Sequence, residues 1–446
     1  MLKNNCPVQF GYSDVDITPD WPVELVGFDR VDNTSKGVWH KLKAQVLIGK
    51  SAKEKCCLIT IDSLGFTVAL TNKLRDLIAN EIGQLREKVM VCFSHTHSAP
   101  NAGIDERYYT FVCKQVLSAV KKAQSTTSTL KVGWGVAEGD IGLNRRGQQS
   151  IVDKRLGVLK FSDNADIPKL LLLRVSAHAN VLCSDNYKIS ADYFATTRDL
   201  LEARYGCKVM MIQGAAGDIR PKYQQENAEY LEVHGFEASM KSYSVEEKQK
   251  YFQQSIAALD QMAQSIYYSV DSIWKQVHPV SLYRLAMFSE SHVFKADVPT
   301  KEKAIAIANE AQKKAGIDGT SWLFEVDRLN RQNVHIQKAD IEIQYFVLND
   351  GCLCGIANEV MCQIALDIEK RAKTPLLFFS GYVNGTSSYL PTAQEYDKGG
   401  YEVLWSNLIY YQYHGRVMPL NRETAKSISE IVANTWSSFL ENGILI

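Results

Sequence analysis

The chain has 446 residues, 46% of them hydrophobic, with 50 basic and 50 acidic side chains. That length allows one large domain or two to three ordinary ones around a sizeable core, and the even charge balance offers no basic face for nucleic acid. No apolar stretch of about 18 residues or more is present to cross a membrane, and the opening MLKNNCPVQFGYSD lacks the apolar segment of a signal peptide.

Residues 11–20 read as a strand followed by a turn, and residues 24–30 place Gly27 in a loop. His40 precedes an alternating strand (Leu42, Ala44, Val46, Ile48) and reads as structural. Residues 55–62 form a buried strand ending in Asp62, which can orient a metal-bound imidazole from behind or cap the segment after it. Residues 67–85 have helical spacing. The ten cysteines form no C-x-x-C pair; Cys56, Cys57, Cys92, Cys352 and Cys354 lie in apolar runs, where a thiol packs as a small hydrophobe. Such usage fits reduced thiols and a cytoplasmic protein.

The apolar run Val89–Phe93 then ends in Ser94-His95-Thr96-His97-Ser98, and Pro100, Asn101 and Gly103 break the regularity. Two histidines thus sit where a buried strand gives way to a loop, the edge at which open α/β sheets bind ligands. In extended chain, residues i and i+2 face one way, so His95 and His97 point into one space, roughly 6–7 Å apart. The pair can hold a metal, one can hold it while the other works on substrate, or both can be satisfied residues of a surface turn.

A helix over 108–123 and a strand over 130–142 come next, leading to Asn144-Arg145-Arg146. Arg145 is a permanent cation whose planar fork suits a carbonyl or carboxylate oxygen, or it is a solvated loop residue. Strands at 156–161 and 170–176 read as a hairpin, and the second ends in Ala177-His178-Ala179-Asn180. Ser190 or Asp192 suits the N-cap of a helix that Gly206 closes. A strand at 209–212 runs into Gly214-Ala215-Ala216-Gly217-Asp218-Ile219-Arg220-Pro221, small enough for another backbone or a ligand to approach. Residues 227–277, 301–315 and 321–331 read as helices and 279–298 as strand-like, giving a helical insertion at about 225–335 that can cap the site. Strands at 341–348 and 352–356 precede Asn358-Glu359 and an amphipathic helix, where Glu359 complements the helix dipole. A strand at 375–380, the tyrosine-rich stretch through Tyr389, Tyr396, Tyr401 and Glu402, and a helix over 420–440 complete the chain, which shows no internal repeat.

In order, these segments resemble the neutral (non-lysosomal) ceramidase family. Ser94-His95-Thr96-His97-Ser98-Ala99-Pro100 is similar to its Thr-His-Thr-His-Ser-Gly-Pro, and Asp16-Ile17-Thr18-Pro19 to its opening Asp-Ile-Thr-Pro. Gly27-Phe28 is similar to its Gly-aromatic and Asn144-Arg145 to its Asn-Arg. His178 with Asp192 resembles its His followed by Ser-x-Asp, and Asn358-Glu359 its Gly-Glu. Asn384 to Tyr389, Thr392 to Tyr396 and Tyr401-Glu402 resemble its tyrosine motifs. The resemblance implies an α/β fold, a mixed β-sheet core with surrounding helices, in one catalytic domain over residues 1–446 without that family's additional C-terminal β-sandwich. It also implies zinc held by His95, His178, Glu359 and Tyr389, with His97 moving a proton to the leaving nitrogen and Arg145 and Tyr401 donating to the developing oxyanion.

One departure stands out. Arg220 replaces the serine of that family's Gly-Asp-x-Ser-Pro. A buried guanidinium needs an acidic partner, either Asp218 or a carboxylate or phosphate on the substrate. The expected protein is therefore a zinc-dependent amidohydrolase cleaving an N-acyl bond of a soluble, anionic small molecule, with Arg220 and Asp218 binding substrate. Alternatives are an esterase or lactonase on the same metal site, a ceramidase proper, and a non-catalytic metal- or ligand-binding relative.

Overall fold

Apolar runs that alternate between two buried faces assemble into three large sheets with one recurring topology, beside three two-stranded ladders among the described residues. The computed structural model describes residues 8–148, 150–223 and 242–442. The first sheet places Gln9–Asp16, Lys43–Lys50, Lys55–Ile61 and Val89–Phe93 side by side, with the short Ser128–Thr129 beyond Gln9–Asp16. The second orders Lys131–Glu138, Arg155–Ser162, Pro168–Val175 and Lys208–Gln213, and the third Leu285–Asp297, Ile336–Leu348, Gly351–Gly355 and Leu377–Ser380. In each sheet three strands meander antiparallel and the fourth lies parallel to the third. Parallel neighbours need a crossover, and a helix supplies it each time: Val68–Ile82, Tyr193–Tyr205 and Cys362–Ala372. A threefold repeat of topology thus exists where the sequence shows none.

Successive strand residues face opposite ways, and each sheet uses both faces. Met90 and Cys92, Met210 and Ile212, and Leu353 and Phe378 meet in a core shared by all three sheets. Val89, Val91, Phe93, Val209 and Met211 face the other way, under Val68–Ile82, Glu106–Ser125, Tyr193–Tyr205 and Val245–Trp274. Cys352, Cys354, Leu377 and Phe379 lie under Cys362–Ala372 and Thr424–Asn442. The parallel edge strands also touch at their carboxyl ends: Phe93 N donates to Tyr382 O at 3.1 Å, Gly381 N to Gly214 O at 3.2 Å, and Gln213 Nε2 to Ser94 O at 3.3 Å. Three strand-to-loop edges therefore open on one point.

Local signals set the helix limits. Thr67 Oγ1 accepts from Leu70 N at 3.2 Å, and Gly83 stops that helix at φ 68°. Asp192 caps Tyr193–Tyr205 and also accepts from Leu182 N at 2.8 Å, which fastens the loop after His178. Asp62 orients no imidazole: its carboxylate takes both arms of Arg198, at 2.9 and 2.6 Å, and Lys43 N at 2.8 Å. His40 meets Ser190 Oγ at 2.8 Å, a structural contact. None of the helices expected as a cap places a residue on the cavity over the site. Val245–Trp274 lies on the helical side of the first core, and Lys301–Ala315 and Thr320–Arg331 make a small core with Leu408 and Val417. Between them, Leu285–Asp297 is the outer strand of the third sheet. Residues 224–241, where the expected insertion begins, lie outside the described residues. The nine described cysteines are buried, and no described helix is long and apolar enough to cross a membrane.

The Asp62–Arg198 pair is 2% exposed on both sides, so removing one partner strands a buried charge. Asp62→Ala is expected to lower the free energy of urea unfolding by about 3–5 kcal/mol, with no comparable loss for Asp32→Ala at an exposed pair. A loss for Asp62→Ala below about 1 kcal/mol, the scale of surface pairs, would contradict the role.

Candidate active site

Each sheet delivers polar residues just past its parallel strands. His95 and His97 follow Val89–Phe93, His178 follows Pro168–Val175, Glu359 follows Gly351–Gly355, and Tyr382 follows Leu377–Ser380. Every imidazole is fixed from behind. Nδ1 of His95 donates to Leu64 O at 2.7 Å, Nδ1 of His97 to Gly27 O at 2.9 Å, and Nδ1 of His178 to Ala216 O at 2.5 Å. A carbonyl can only accept, so Nδ1 carries the proton and Nε2 keeps its lone pair. One ring nitrogen from each of the three lies within 4.8 Å of the others. Nε2 of His97 and of His178 is buried without a hydrogen-bond partner. Glu359 Oε2 lies 3.3 Å from His95 Nε2, 3.4 Å from His178 Nε2 and 3.4 Å from the Tyr382 hydroxyl. The Tyr382 ring stacks on His95 with centroids 4.2 Å apart.

The route to this convergence differs from simple strand alternation. His95 has φ 58° and Tyr382 φ 60°, so the chain turns through the left-handed region at both. His95 and His97 end with ring centroids 5.1 Å apart and near-perpendicular planes, at 86°.

Burial disfavours charge on His97 and His178. Burial, then the Arg145 cation, lowers His178 to about 4, and burial with the neighbouring imidazoles lowers His97 well below its ordinary value. Burial works to raise the Glu359 carboxyl, yet the charge and hydrogen bonding of His95 and His178 hold it well below the usual range. Three imidazoles and a carboxylate gathered in this way are the donor set that zinc takes, with metal binding displacing any protons on the ligating atoms, and backbone-held Nδ1 atoms are the usual support behind such ligands. The residues present fit a metal.

A cavity of about 310 Å³ opens over this cluster. His95, His97, Arg145, Glu359, Tyr389 and Tyr401 line it, with Gly27, Phe28 and Phe66 on one side and Tyr410, Tyr413 and His414 on another. His178, fully buried, stands behind. Arg145 extends from Gly142–Asn144 and is held by a frame: Nη2 donates to Gly217 O at 2.7 Å and to the Tyr389 hydroxyl at 3.2 Å, while Nε lies 2.8 Å from Glu402 Oε1. Arg146 braces Glu402 at 2.6 Å and also meets Glu395. Tyr389 stands opposite Glu359 in a two-residue parallel ladder. Burial, then the charge of Glu359, pushes its phenol up well above the ordinary value. Tyr401 begins a single π turn, Tyr401–Trp405, after Gly399 and Gly400 at φ 57° and 82°. Such turns recur at functional sites.

Asp218 and Arg220 are placed otherwise than expected. Asp218 Oδ1 accepts from Cys362 N and Oδ2 from Asn144 Nδ2, each at 2.8 Å, so it ties two strand-end loops together. Arg220 sits in Ile219–Pro221, paired with Gly142–Asn144, and it has no ion-pair partner among the described residues. Neither residue lines the cavity. Sequence reasoning also missed Tyr382, the frame role of Glu402, and the wall residues Tyr410, Tyr413 and His414. Glu402 carried a signal in the Tyr401-Glu402 pair; Tyr382 carried none, because only the packing of the third sheet against the first brings it to His95.

A three-sheet α/β fold with a buried imidazole–carboxylate centre at the meeting of its parallel strand ends is the class the geometry defines. No family model and no curated protein matches the sequence. Among solved structures, the chain is similar to the neutral ceramidase from Pseudomonas aeruginosa, with TM-score 0.70 over 98% of this chain and 75% of that one. A ceramidase complexed with C2 is similar at TM-score 0.70 over 98% and 76%. Identity is 15% in both, so the likeness is one of fold.

Histidines held neutral in the folded protein protonate more readily once unfolded. The unfolded state therefore binds more protons between about 4, the folded value of His178, and its ordinary 6.5, and stability rises with pH across that window. The melting temperature of metal-free protein is expected to fall as pH drops from 6.5 towards 4, with a shallower slope in His178→Asn. Identical slopes in the two proteins would refute the assignment.

Proposed function

We propose that this protein is a zinc-dependent hydrolase that cleaves the amide bond of an N-acyl small molecule. The observation that carries the reading is the set of three backbone-tied imidazoles with one ring nitrogen of each within 4.8 Å of the others, two of them, His95 and His178, also meeting Glu359. The fold shared with ceramidases, which the names of those structures describe, supports the amide as the bond attacked. In this reading His95, His178 and Glu359 hold the metal, with Tyr389 as a fourth ligand and Tyr382 steadying Glu359. Zinc supplies a Lewis acid that activates water and polarises a carbonyl at neutral pH.

The chain's own residues supply the rest. His97 keeps its Nδ1 proton on Gly27 O, so its free Nε2 can take a proton and return it to the leaving nitrogen. Arg145 and Tyr401 face the same cavity and can donate to the carbonyl oxygen as negative charge develops. Glu402 is a positioning residue, since it holds the Arg145 fork at an angle the substrate does not have to impose. Burial of all nine described cysteines in apolar surroundings favours a reducing compartment such as the cytoplasm.

Metal analysis is expected to find about one zinc per chain, the load of a mononuclear catalytic site, and His95→Ala and His178→Ala are each expected to lose it. Full retention by both variants would remove these residues from the site. His97→Gln is expected to keep its zinc while kcat on N-acyl compounds drops about 10²–10⁴-fold, the worth of general acid–base help. Loss of zinc in this variant would make His97 a ligand instead. Hydrolysis of esters with no turnover of any amide would reassign the reaction.

A further inference from the structure

The cavity runs from a buried floor to an open mouth. Its floor is His95 and Glu359, 2% and 7% exposed, and at the surface end stand Gly103, which is exposed, and Tyr413, at 44%. Aromatic rings line two sides of the way out. On one side Phe28 lies beside His97, with centroids 4.9 Å apart. On the other, Tyr389 is followed by Tyr401 at 6.0 Å, and Tyr410 by Tyr413 at 6.3 Å. Tyr410 and Tyr413 fall at i and i+3 of the helix Ser406–His414 and so share a face, and both line the cavity.

Tyr413 turns its ring towards the loop across the mouth. A Cβ on Gly103 would lie 3.7 Å from that ring, an ordinary contact, so the missing side chain at Gly103 leaves space beside it. Gly103 is held in place by donating its N to Asn101 Oδ1 at 3.1 Å, and its backbone is not left-handed, so the position demands glycine for space and not for conformation. Among the described residues, the charged side chains on the cavity other than histidine are Arg145 and Glu359. Arg145 is paired with Glu402 at 2.8 Å, and Glu359 is turned to His95 and His178 at 3.3 and 3.4 Å. A carboxylate or ammonium near the mouth would trade water for phenyl and phenol walls with no opposite charge to offset the loss. A neutral aromatic ring gains from such walls twice, by burial and by offset or edge-on contact between rings, whereas a flexible chain gains burial alone.

We infer that Tyr413 is a specificity-determining residue: with Gly103 it forms a slot at the mouth that takes a neutral aromatic ring of the substrate. This rests on the metal-hydrolase reading for the floor of the cavity and replaces the anionic substrate expected through Arg220.

The test is direct binding to zinc-loaded protein by calorimetry, with no turnover involved. The probes are hydroxamic acids, which anchor on zinc by the head, on linkers of graded length that end in phenyl, in a straight chain of the same carbon count, or in carboxyphenyl. At one linker length the phenyl-ended probe is expected to bind about 2- to 10-fold tighter than its straight-chain counterpart, the worth of one aromatic pair, and the carboxyphenyl probe more weakly than the phenyl. In Tyr413→Leu the ratio is expected to fall to about one, and in Tyr413→Phe, which keeps the ring, to persist. Gly103→Val, which fills the slot, is expected to weaken the phenyl-ended probe more than the straight chain; thermal unfolding checks that each variant is folded. No preference for phenyl at any length, or a preference that survives in Tyr413→Leu or is lost in Tyr413→Phe, overturns the slot and leaves the metal site standing. The same holds for equal weakening of both probes in Gly103→Val, or for tighter binding of the carboxyphenyl probe. Failure of every hydroxamate to bind overturns the metal reading, and this inference falls with it.

Discussion

An imidazole that gives its Nδ1 proton to a main-chain carbonyl has one tautomer and very little freedom to turn. Three such rings are needed here at once, and their carbonyls belong to Leu64, Gly27 and Ala216, in three separate loops. No loop can place its carbonyl unless the sheets beneath are already packed. The approaches are correspondingly close. A Cβ on Gly27, at φ 110°, would sit 2.7 Å from the His97 ring, and one on Gly217 would sit 2.7 Å from Glu359 O. Glycine is required at Gly27 both for the left-handed backbone and for the space. The cluster's geometry follows from the same clamps: with Nδ1 tied to a carbonyl on one side, each ring turns Nε2 inward on the other, and Glu359 meets Nε2 of His95 and of His178 there.

The recurring three-strand meander with a helical crossover explains why three sheets can serve one site. In a parallel pair both carboxyl ends open on the same edge, the place where α/β sheets bind ligands. Each repeat therefore contributes at its own parallel edge: histidines from the first, His178 and the Gly214–Asp218 turn from the second, Glu359 and Tyr382 from the third. The shared core of Met90, Cys92, Met210, Ile212, Leu353 and Phe378 locks the three edges together. Large-to-small changes in that core would therefore act on ligand geometry as well as on stability.

Much of this was written in local pattern. Alternation and run length gave the strands through Val89–Phe93 and Pro168–Val175, and Asp192 and Gly206 bounded Tyr193–Tyr205, while the helix read over 67–85 stops at Ile82 because Gly83 turns left-handed. His95, His97 and His178 were legible because histidine at the end of an apolar strand is itself a signal. Pairing was not legible. Asp62 at a strand end looked like a partner for an imidazole, but the helix after Asp192 carries Arg198 to it. Arg220 looked like a pocket cation, but its two-residue separation from Asp218 says nothing about which way either side chain turns. The threefold topology left no repeat in the sequence, since a strand demands only alternation and not particular residues.

The two residues with left-handed backbones at the centre, His95 and Tyr382, each carry a conformational cost of about 1–3 kcal/mol. They persist because the surroundings over-determine them. Between them runs the Phe93 N to Tyr382 O bond, and Asn384 locks the turn beyond by donating its N to Val91 O at 2.6 Å and accepting Val91 N on its side chain at 2.9 Å. Asn384 Nδ2 then reaches Gln344 Oε1 at 3.0 Å, and the same oxygen accepts from Arg75 at 3.0 Å. Arg75 joins Glu342 through both arms. A largely buried polar network on the far side of the seam therefore holds the turn that presses Tyr382 onto His95. The strain sits where a small rotation would separate the carboxylate from the imidazoles, so the network's rigidity keeps the donor atoms gathered before any ligand arrives.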